Sequence, residues 1–359
     1  MANDFGDARN NRNDEFYTQW EDIEKEVMGY LDLDPDLFRG KVLLLPCDDP
    51  EWSNFTKFFA QNFQSLGLRK LISTSYAPDS RLFNEDATDW EKLSKNYRED
   101  YSKTRGRVFT LERDNNSDGV VNVEDLEWKY LEGDGDFRSP EVSRLRDEAD
   151  MIVTNPPFSL FRDFAHWIIE SKKSFLIIGN VNAVTYKDIF PAFKENRMWF
   201  GHSINSGDRE FRVPESYPLN AAGSRTDTEG RKFIRVKGVR WFTNLDHGRR
   251  HSPLNLMSLE DNRRFSRRAV IRDVGYPEYD NYHAIDVSFT EAIPSDYLEP
   301  MGVPITFLDK YCPEQFEILD ANDYRKPHQA AKSYALIKDA DGSVNGVNKY
   351  ARILIKHRR

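Results

Sequence analysis

The sequence is poor in cysteine: Cys47 and Cys312 are the only two in 359 residues, which excludes a disulfide framework and a four-thiolate zinc site. Long apolar runs are also missing. The longest, such as Val42 to Leu45 and Phe175 to Ile178, are strand-sized and far short of the roughly 20 residues that span a bilayer. The opening stretch MANDFGDARNNRNDEF lacks the apolar core of a secretory signal, so a cytoplasmic location away from membranes is expected. No Gly-x-x-x-x-Gly-Lys phosphate loop occurs, which argues against nucleoside triphosphate hydrolysis. Nor is there an excess of positive charge. With 51 Lys and Arg against 60 Asp and Glu, the net charge is -9, so a uniformly basic nucleic-acid binder is disfavoured and only a local basic patch is open.

What is present describes a folded protein of one large or two ordinary domains, with 39% hydrophobic and 13% aromatic residues. Residues 1–13, rich in Asn, Asp and Arg, are expected to form a flexible tail. From Asp14 the run DEFYTQWEDIEKEVMGYL places Ile23, Val27 and Leu31 at four-residue spacing, predicting an amphipathic helix. KVLLLPCDDPEWSNFTKFFAQNF then reads as a strand ended by Pro46, a loop, and a helix burying Phe55, Phe58, Phe59 and Phe63. LRKLISTSYA repeats the strand signal, and the polar stretch from Asp114 to Gly119 reads as a surface excursion. Ser139 and Pro140 supply an N-cap and first-turn proline for a further helix. Strands alternating with amphipathic helices predict a doubly wound α/β catalytic domain over residues 14–200, with ligands at the carboxyl ends of its strands. Short β-like pieces over 201–359 predict a β-rich or mixed extension.

The segment DMIVTNPPFSLF carries the most chemistry. A strand from Asp150 to Thr154 leads into Asn155-Pro156-Pro157-Phe158, and two consecutive prolines hold that loop extended because proline fixes its own φ and restricts its predecessor. The Asn155 amide oxygen and the Pro156 carbonyl can accept hydrogen bonds, while Phe158 offers a flat apolar face. This set suits an exocyclic amino group on an aromatic base, whose lone pair would be freed to attack a methyl on a sulfonium centre. No metal is needed for such a reaction. The EGDGDFRS segment upstream offers Asp136 to an adenine amino group and Phe137 as a packing ring. The loop after the first strand, PCDDPEW, contains no glycine and does not identify a nucleotide site by itself. Its Pro46-Cys47 pair matches the nucleophile of carbon-5 cytosine methyltransferases, but the complementary Glu-Asn-Val motif is absent. His247 and His251 lie in the loop-like NLDHGRRHSPLN, a basic surface rather than a zinc site.

Together DEFYTQWEDIEKE, LLLPCDDPEWSNFTKFF, GDGDF, DMIVTNPPFSLF, FLIIGNVNAVTY, GVRWFTNLDH and GVPITFLDKYCPEQFEIL resemble the EcoRI-type family of adenine-specific DNA methyltransferases over nearly the full chain. The resemblance implies a methyltransferase fold that uses S-adenosyl-L-methionine, with residues 14–200 as the catalytic domain and 201–359 as the target-recognition and DNA-binding region. It implies action on double-stranded DNA with the target adenine flipped out, at a defined site for which GAATTC is the first test. It assigns Phe16, Tyr17, Thr18, Pro46, Cys47, Asp48, Asp136 and Phe137 to the cofactor, with Asn155 shared, and makes Asn155 to Phe158 the catalytic loop. A cognate restriction endonuclease is left open as a partner. The second strand, LISTSYA, lacks the acidic residue that commonly holds the cofactor ribose. Methylation of RNA or of a protein glutamine by the same loop, and a catalytically silent DNA-binding protein, are the rival readings.

Between Arg231 and Arg272 stand twelve Lys and Arg against three Asp and Glu, a basic stretch on an acidic body. Within it Lys237, Arg240, Arg249, Arg250, Arg263 and Arg264 are expected on DNA phosphates. Trp241 or Phe242 is expected on the second face of the extruded base.

Overall fold

A computed structural model describes residues 16–77, 94–204, 207–214, 217, 219, 223–327, 336–337 and 342–358. The tail expected over residues 1–13 lies outside them. The chain divides into two compact units, Met1–Asn180 with Gly201–Leu245 and Val181–Phe200 with Asp246–Arg359.

The first unit is built on a mixed sheet. Helix α1 (Trp20–Leu31) buries Ile23 and Val27, as the four-residue spacing predicts. Strand β1 (Val42–Leu45) is buried along its whole length, and α2 (Asn54–Gln61) returns from it with Phe55, Phe58 and Phe59 buried and Ser53 as N-cap. Strand β2 (Lys70–Ser75) lies parallel to β1 on one side, and β5 (Met151–Thr154) on the other, followed by parallel β6 (Ser174–Asn180). Helix α3 (Pro140–Glu148) enters β5, its Ser139 Oγ accepting the Val142 N–H at 3.2 Å. Helix α4 (Phe161–Ser171) connects β5 to β6. Four parallel strands with apolar side chains on both faces need cover on both sides, and the helices provide it. Beyond β2, β3 (Arg107–Leu111) and β4 (Glu127–Tyr130) extend the sheet antiparallel.

The β3–β4 connection is closed by its own side chains. Asp114 accepts the N–H groups of Ser117 and Gly119, Asp118 that of Val120, and the buried Asp125 those of Asn115, Asn116 and Asn122. The order Asp114, Asn116, Asp118, Gly119, with Asp125 in twelfth place, is the spacing of a calcium-binding loop. Here those side chains cap backbone N–H groups, and among the described residues no three His, Cys, Asp or Glu side chains are grouped as a metal site.

The largest departure from expectation lies after β6. The chain runs through the two-residue strand β7 (Trp199–Phe200) in the second unit. It then returns to the first as β8 (Asp208–Val213), β9 (Arg225–Thr226) and β10 (Lys232–Lys237), a small antiparallel sheet in the order β8-β10-β9. At Gly238, whose φ is 70°, it turns and enters the main sheet as β11 (Val239–Thr243), antiparallel to β6. The boundary expected at residue 200 is therefore displaced: residues 201–245 belong to the first unit. Trp241 and Phe242 are fully buried in β11, Trp241 against Phe55 and Phe242 against Phe161. Neither ring is available to a base. Arg240, buried in the same strand, is not exposed to phosphates either. Truncating a buried tryptophan removes packing on every side, so Trp241→Ala is expected to lower the unfolding free energy by about 3–5 kcal/mol. Chemical denaturation measures this directly, and an undiminished midpoint with weakened DNA binding would contradict the buried placement.

A buried carboxylate closes the first unit. Glu26 on α1 accepts from Tyr30 Oη at 2.7 Å and from the His202 and Ser203 N–H groups at 2.7 and 2.6 Å. Such groups are buried only when their hydrogen bonds are made.

The second unit carries β12 (Ile285–Asp286), β13 (Met301–Pro304), β14 (Phe316–Ile318) and β17 (Arg352–His357) in the order β12-β13-β17-β14, with the hairpin β15 (Gly342–Val344) and β16 (Val347–Lys349) beside them in sequence. Its core includes Tyr279, Tyr282, Ile337 and Leu354. Asp286 accepts from Tyr279 Oη at 2.6 Å, Ser288 Oγ at 2.7 Å and Arg352 Nε at 3.0 Å. Two short helices, α5 (Leu259–Phe265) and α6 (Ala269–Asp273), carry the arginine-rich segment.

Candidate active site

Strand β1 is the switch point of the sheet. The chain leaves it through α2 toward β2 on one side, while β5 pairs on the other, so the loops after β1 and β5 part from each other. Ligand crevices in open α/β sheets form at such a place. A cleft lies here, lined by residues of the N-terminal segment (Phe16, Tyr17, Thr18), the loop after β1 (Cys47, Asp48, Asp49, Trp52, Ser53), α2 (Phe55), the end of β2 (Tyr76) and the loop after β5 (Asn155, Pro157).

The loop after β1 turns at Cys47, whose φ of 69° is left-handed, a conformation that non-glycine residues hold only where their surroundings enforce it. Asp48 follows, 3% exposed. Its Oδ1 accepts from Ser53 Oγ at 2.6 Å, its Oδ2 meets Thr154 Oγ1, and its carbonyl accepts from Thr56 Oγ1 at 2.8 Å and from Ser73. Burial pushes the Asp48 carboxyl up to about 7, against the lowering effect of the Ser53 and Thr154 hydrogen bonds and with the Asp49 charge adding to the rise. Asp49 itself pairs with Arg107 at 2.7 Å, both side chains nearly buried. Burial drives the Tyr76 phenol far above its ordinary value, with Cys47 and Asp136 adding to the rise.

The loop after β5 is held from the opposite side. Asn155 Nδ2 donates to the Phe16 carbonyl at 2.5 Å. A carbonyl only accepts, so the amide orientation is fixed and Oδ1 is the free end. That Oδ1 is buried and accepts no hydrogen bond among the described residues. A buried acceptor left unpaired costs about 1–3 kcal/mol, a cost that a donor on a ligand removes. Thr18 Oγ1 is a second buried polar atom without a partner there, on a residue whose carbonyl is held by Asn54 Nδ2 at 2.7 Å. Tyr17 stacks on Trp52, ring centroids 6.4 Å apart and 25° between planes. Phe158 is half-buried, edge-to-face with Phe16 at 5.5 Å and Phe211 at 6.2 Å. The bridge between Tyr17 and Arg212 ties this segment to β8.

Of the cofactor residues expected from sequence, the structure brings Phe16, Tyr17, Thr18, Cys47, Asp48 and Asn155 around one cleft. Pro46 is not among the lining residues; its carbonyl accepts from Thr154 Oγ1 at 2.5 Å. Asp136 is not among the lining residues. Although burial works to raise its carboxyl, hydrogen bonds and charge from Arg138, paired at 2.6 Å, hold it below the ordinary carboxylate value. The turn that carries it needs glycine: Gly135 has φ 88°, and a Cβ there would run into the Ser75 carbonyl. Phe137 is a correction. Fully buried, its ring packs on Phe164 at 4.9 Å and Trp167 at 5.7 Å, so it anchors the turn to α4 rather than covering a ligand. Sequence reasoning missed Asp49, Trp52, Ser53 and Tyr76 as lining. The first three lie inside the PCDDPEWS stretch, and Tyr76 ends the second strand where only an acid had been sought.

The arginine-rich stretch is less basic in space than in sequence. Lys237 is exposed on β10 and Arg249 half-buried. Arg250 is buried over Trp199, 3.6 Å from the ring centroid, and bonded to Asn196. It is structural, which corrects its expected place on DNA. Arg263 and Arg264 are exposed on α5 beside Phe265, 68% exposed, with Arg264 paired to Glu260. Arg267 and Arg268 follow, also exposed. Among the described residues no helix is long and apolar enough to cross a membrane.

The family model described as adenine-specific methyltransferase EcoRI matches residues 4–358. The chain is 40% identical over 352 residues to the Type II methyltransferase M.EcoRI of Escherichia coli, covering 98% of this chain and 95% of that one. It is 35% identical to M.MpnI of Mycoplasma pneumoniae (99% and 98% covered) and 34% identical to M.MgeORF184P of Mycoplasma genitalium (98% of each). No solved structure matches. A cleft at the switch point, a rigid Asn-Pro-Pro-Phe loop beside it and these relatives give one conclusion: the chain belongs to the EcoRI family of adenine-specific methyltransferases and is a DNA adenine methyltransferase.

Proposed function

We propose that the chain methylates the N6 amino group of an adenine extruded from duplex DNA, with S-adenosyl-L-methionine as donor. The buried, unpartnered Oδ1 of Asn155 carries this reading. An adenine amino group has two hydrogens to donate, and Asn155 Oδ1 with the Pro156 carbonyl supplies two acceptors. Accepting both draws the nitrogen lone pair out of conjugation with the ring, while Phe158 stacks on the base. The proton leaves after transfer, so no strong base is required. Inside a duplex the amino nitrogen has no line of attack, which is why the base must leave the stack.

The cleft residues fit the donor. The stacked Tyr17 and Trp52, the free Thr18 Oγ1 and the polar loop from Cys47 to Asp49 would hold it, with Asp136 at the neighbouring turn. When bound, the cofactor supplies a methyl group activated by a sulfonium. On the DNA side, Lys237, Arg249, Arg263 and Arg264 are the expected phosphate contacts. GAATTC is the first recognition site to test, and a cognate restriction endonuclease is the partner this reading allows.

Incubation with methyl-labelled S-adenosyl-L-methionine and, separately, duplex DNA, RNA or protein tests the substrate class. Label is expected in duplex DNA. Label confined to RNA or protein would overturn the proposal, as would DNA retention without any transfer.

A further inference from the structure

The hydroxyl of Thr154 is asked for more hydrogens than it has. Its Oγ1 lies 2.5 Å from the Pro46 carbonyl and also against Asp48 Oδ2. A carbonyl oxygen carries no proton, and a threonine hydroxyl has a single one. If Thr154 gave it to Asp48, two bare oxygens would face each other at the Pro46 contact. If Thr154 gives it to Pro46, the contact with Asp48 needs a proton that only the Asp48 carboxyl can bring. The opposite oxygen of that carboxyl is already supplied: Ser53 Oγ donates to Oδ1 at 2.6 Å while taking the Phe55 N–H at 3.1 Å. Around the group, Thr56 on α2 and Ser73 on β2 bond its carbonyl, not its carboxyl. The charged neighbour is Asp49, a like charge, itself paired with Arg107 of β3.

We propose that Asp48 is a positioning residue held as a neutral acid, donating its proton to Thr154 Oγ1 and so clipping the end of β5, and with it Asn155, to the loop after β1. The proton chain runs Asp48 to Thr154 to the Pro46 carbonyl, with every oxygen satisfied. This deepens the reading of Asn155 given above and rests on it only for the consequence in catalysis.

Asparagine is the isostere of a neutral aspartic acid. In Asp48→Asn, Nδ2 can donate to Thr154 and Oδ1 can accept from Ser53. The decisive experiment compares the pH dependence of unfolding for the full-length wild type and Asp48→Asn. A carboxyl that keeps its proton in the folded state but loses it near 3.9 when unfolded stabilises fully below that value, and its contribution is lost as pH rises through the folded value. All other groups are common to both proteins, so the ratio of their unfolding constants isolates Asp48. The wild-type constant is expected to rise relative to the variant by up to about tenfold per pH unit from about pH 4 toward neutrality. Parallel curves would mean that Asp48 is ionised throughout and would overturn the proposal, as would an Asp48→Asn chain that fails to fold. Turnover supplies the second readout. Asp48→Ala, folded by circular dichroism, should lose about tenfold or more in kcat, and Asp48→Asn, which keeps a donor to Thr154, should lose less. An asparagine variant as slow as the alanine one would refute the positioning role. Failure of the DNA-methylation reading looks different: the wild type itself would be inactive, with the unfolding comparison unaffected.

Discussion

Asn155→Ala is expected to lower kcat on duplex DNA by at least about 10²–10³-fold, the cost of removing one preorganised group that acts on developing charge. Two effects combine at this position. On the proposed mechanism the Oδ1 acceptor for the target amino group disappears, and so does the Nδ2 bond that holds the Phe16 carbonyl at 2.5 Å. The second effect bears on the proposed cofactor cleft, which Phe16 and its neighbours line. A net hydrogen bond is worth about 1 kcal/mol, so cofactor affinity should fall by no more than about tenfold. Equilibrium binding with single-turnover rates separates the two. A rate near that of the wild type would show that Asn155 is not the acceptor. A loss confined to cofactor binding would confine its role to holding Phe16. Asn155→Asp should retain more activity than the alanine variant, since it keeps an acceptor while losing the donor to Phe16.

The second large effect concerns DNA. Reversing Arg263, Arg264 and Arg267 to Glu is expected to weaken binding by about 10²–10³-fold at 0.1 M salt, from lost counterion release. The slope of log affinity against log salt should shrink by about one for each contact removed. These three are exposed around α5, next to a bare Phe265, whereas Arg240 and Arg250 are buried and their substitution should act through stability. The control is an equal reversal at Arg39, Arg69 and Arg144, all exposed in the first unit. Equal losses from both triplets, measured by fluorescence anisotropy across a salt series, would show that net charge rather than the arginine-rich helix holds the DNA.

The Asn-Pro-Pro-Phe loop after β5 was readable as an extended turn because its constraints are local. Two prolines dictate that backbone whatever surrounds them. The Ser139-Pro140 helix start and the phenylalanine face of α2 were legible for the same reason. The stretch KFIRVKGVRWFTNL was not, since it reads as one basic, aromatic ribbon. Gly238 divides it into β10, which alternates buried Val236 with exposed Arg235 and Lys237, and β11, which is buried at every position. Whether Trp241 faces solvent or core is decided by β6, which lies more than fifty positions earlier and pairs with it antiparallel. Local pattern holds no record of that partner. The same limit hid the buried Glu26, whose acceptors are met by backbone near residue 202, and the burial of Phe137. The cleft residues from Asp49 to Ser53 were within the quoted motif, but their roles depend on a left-handed turn at Cys47 that no periodicity announces.

The central claim is transfer to the adenine amino nitrogen, and nucleoside analysis of duplex DNA methylated by the purified chain tests it most directly. The expected product is N6-methyladenine, at one adenine within a defined sequence, and it should be missing when Asn155→Ala replaces the wild type. Methyl groups found instead on cytosine carbon or on a ring nitrogen of adenine would contradict the account, because the two acceptors of the Asn-Pro-Pro-Phe loop are matched to an exocyclic amino group.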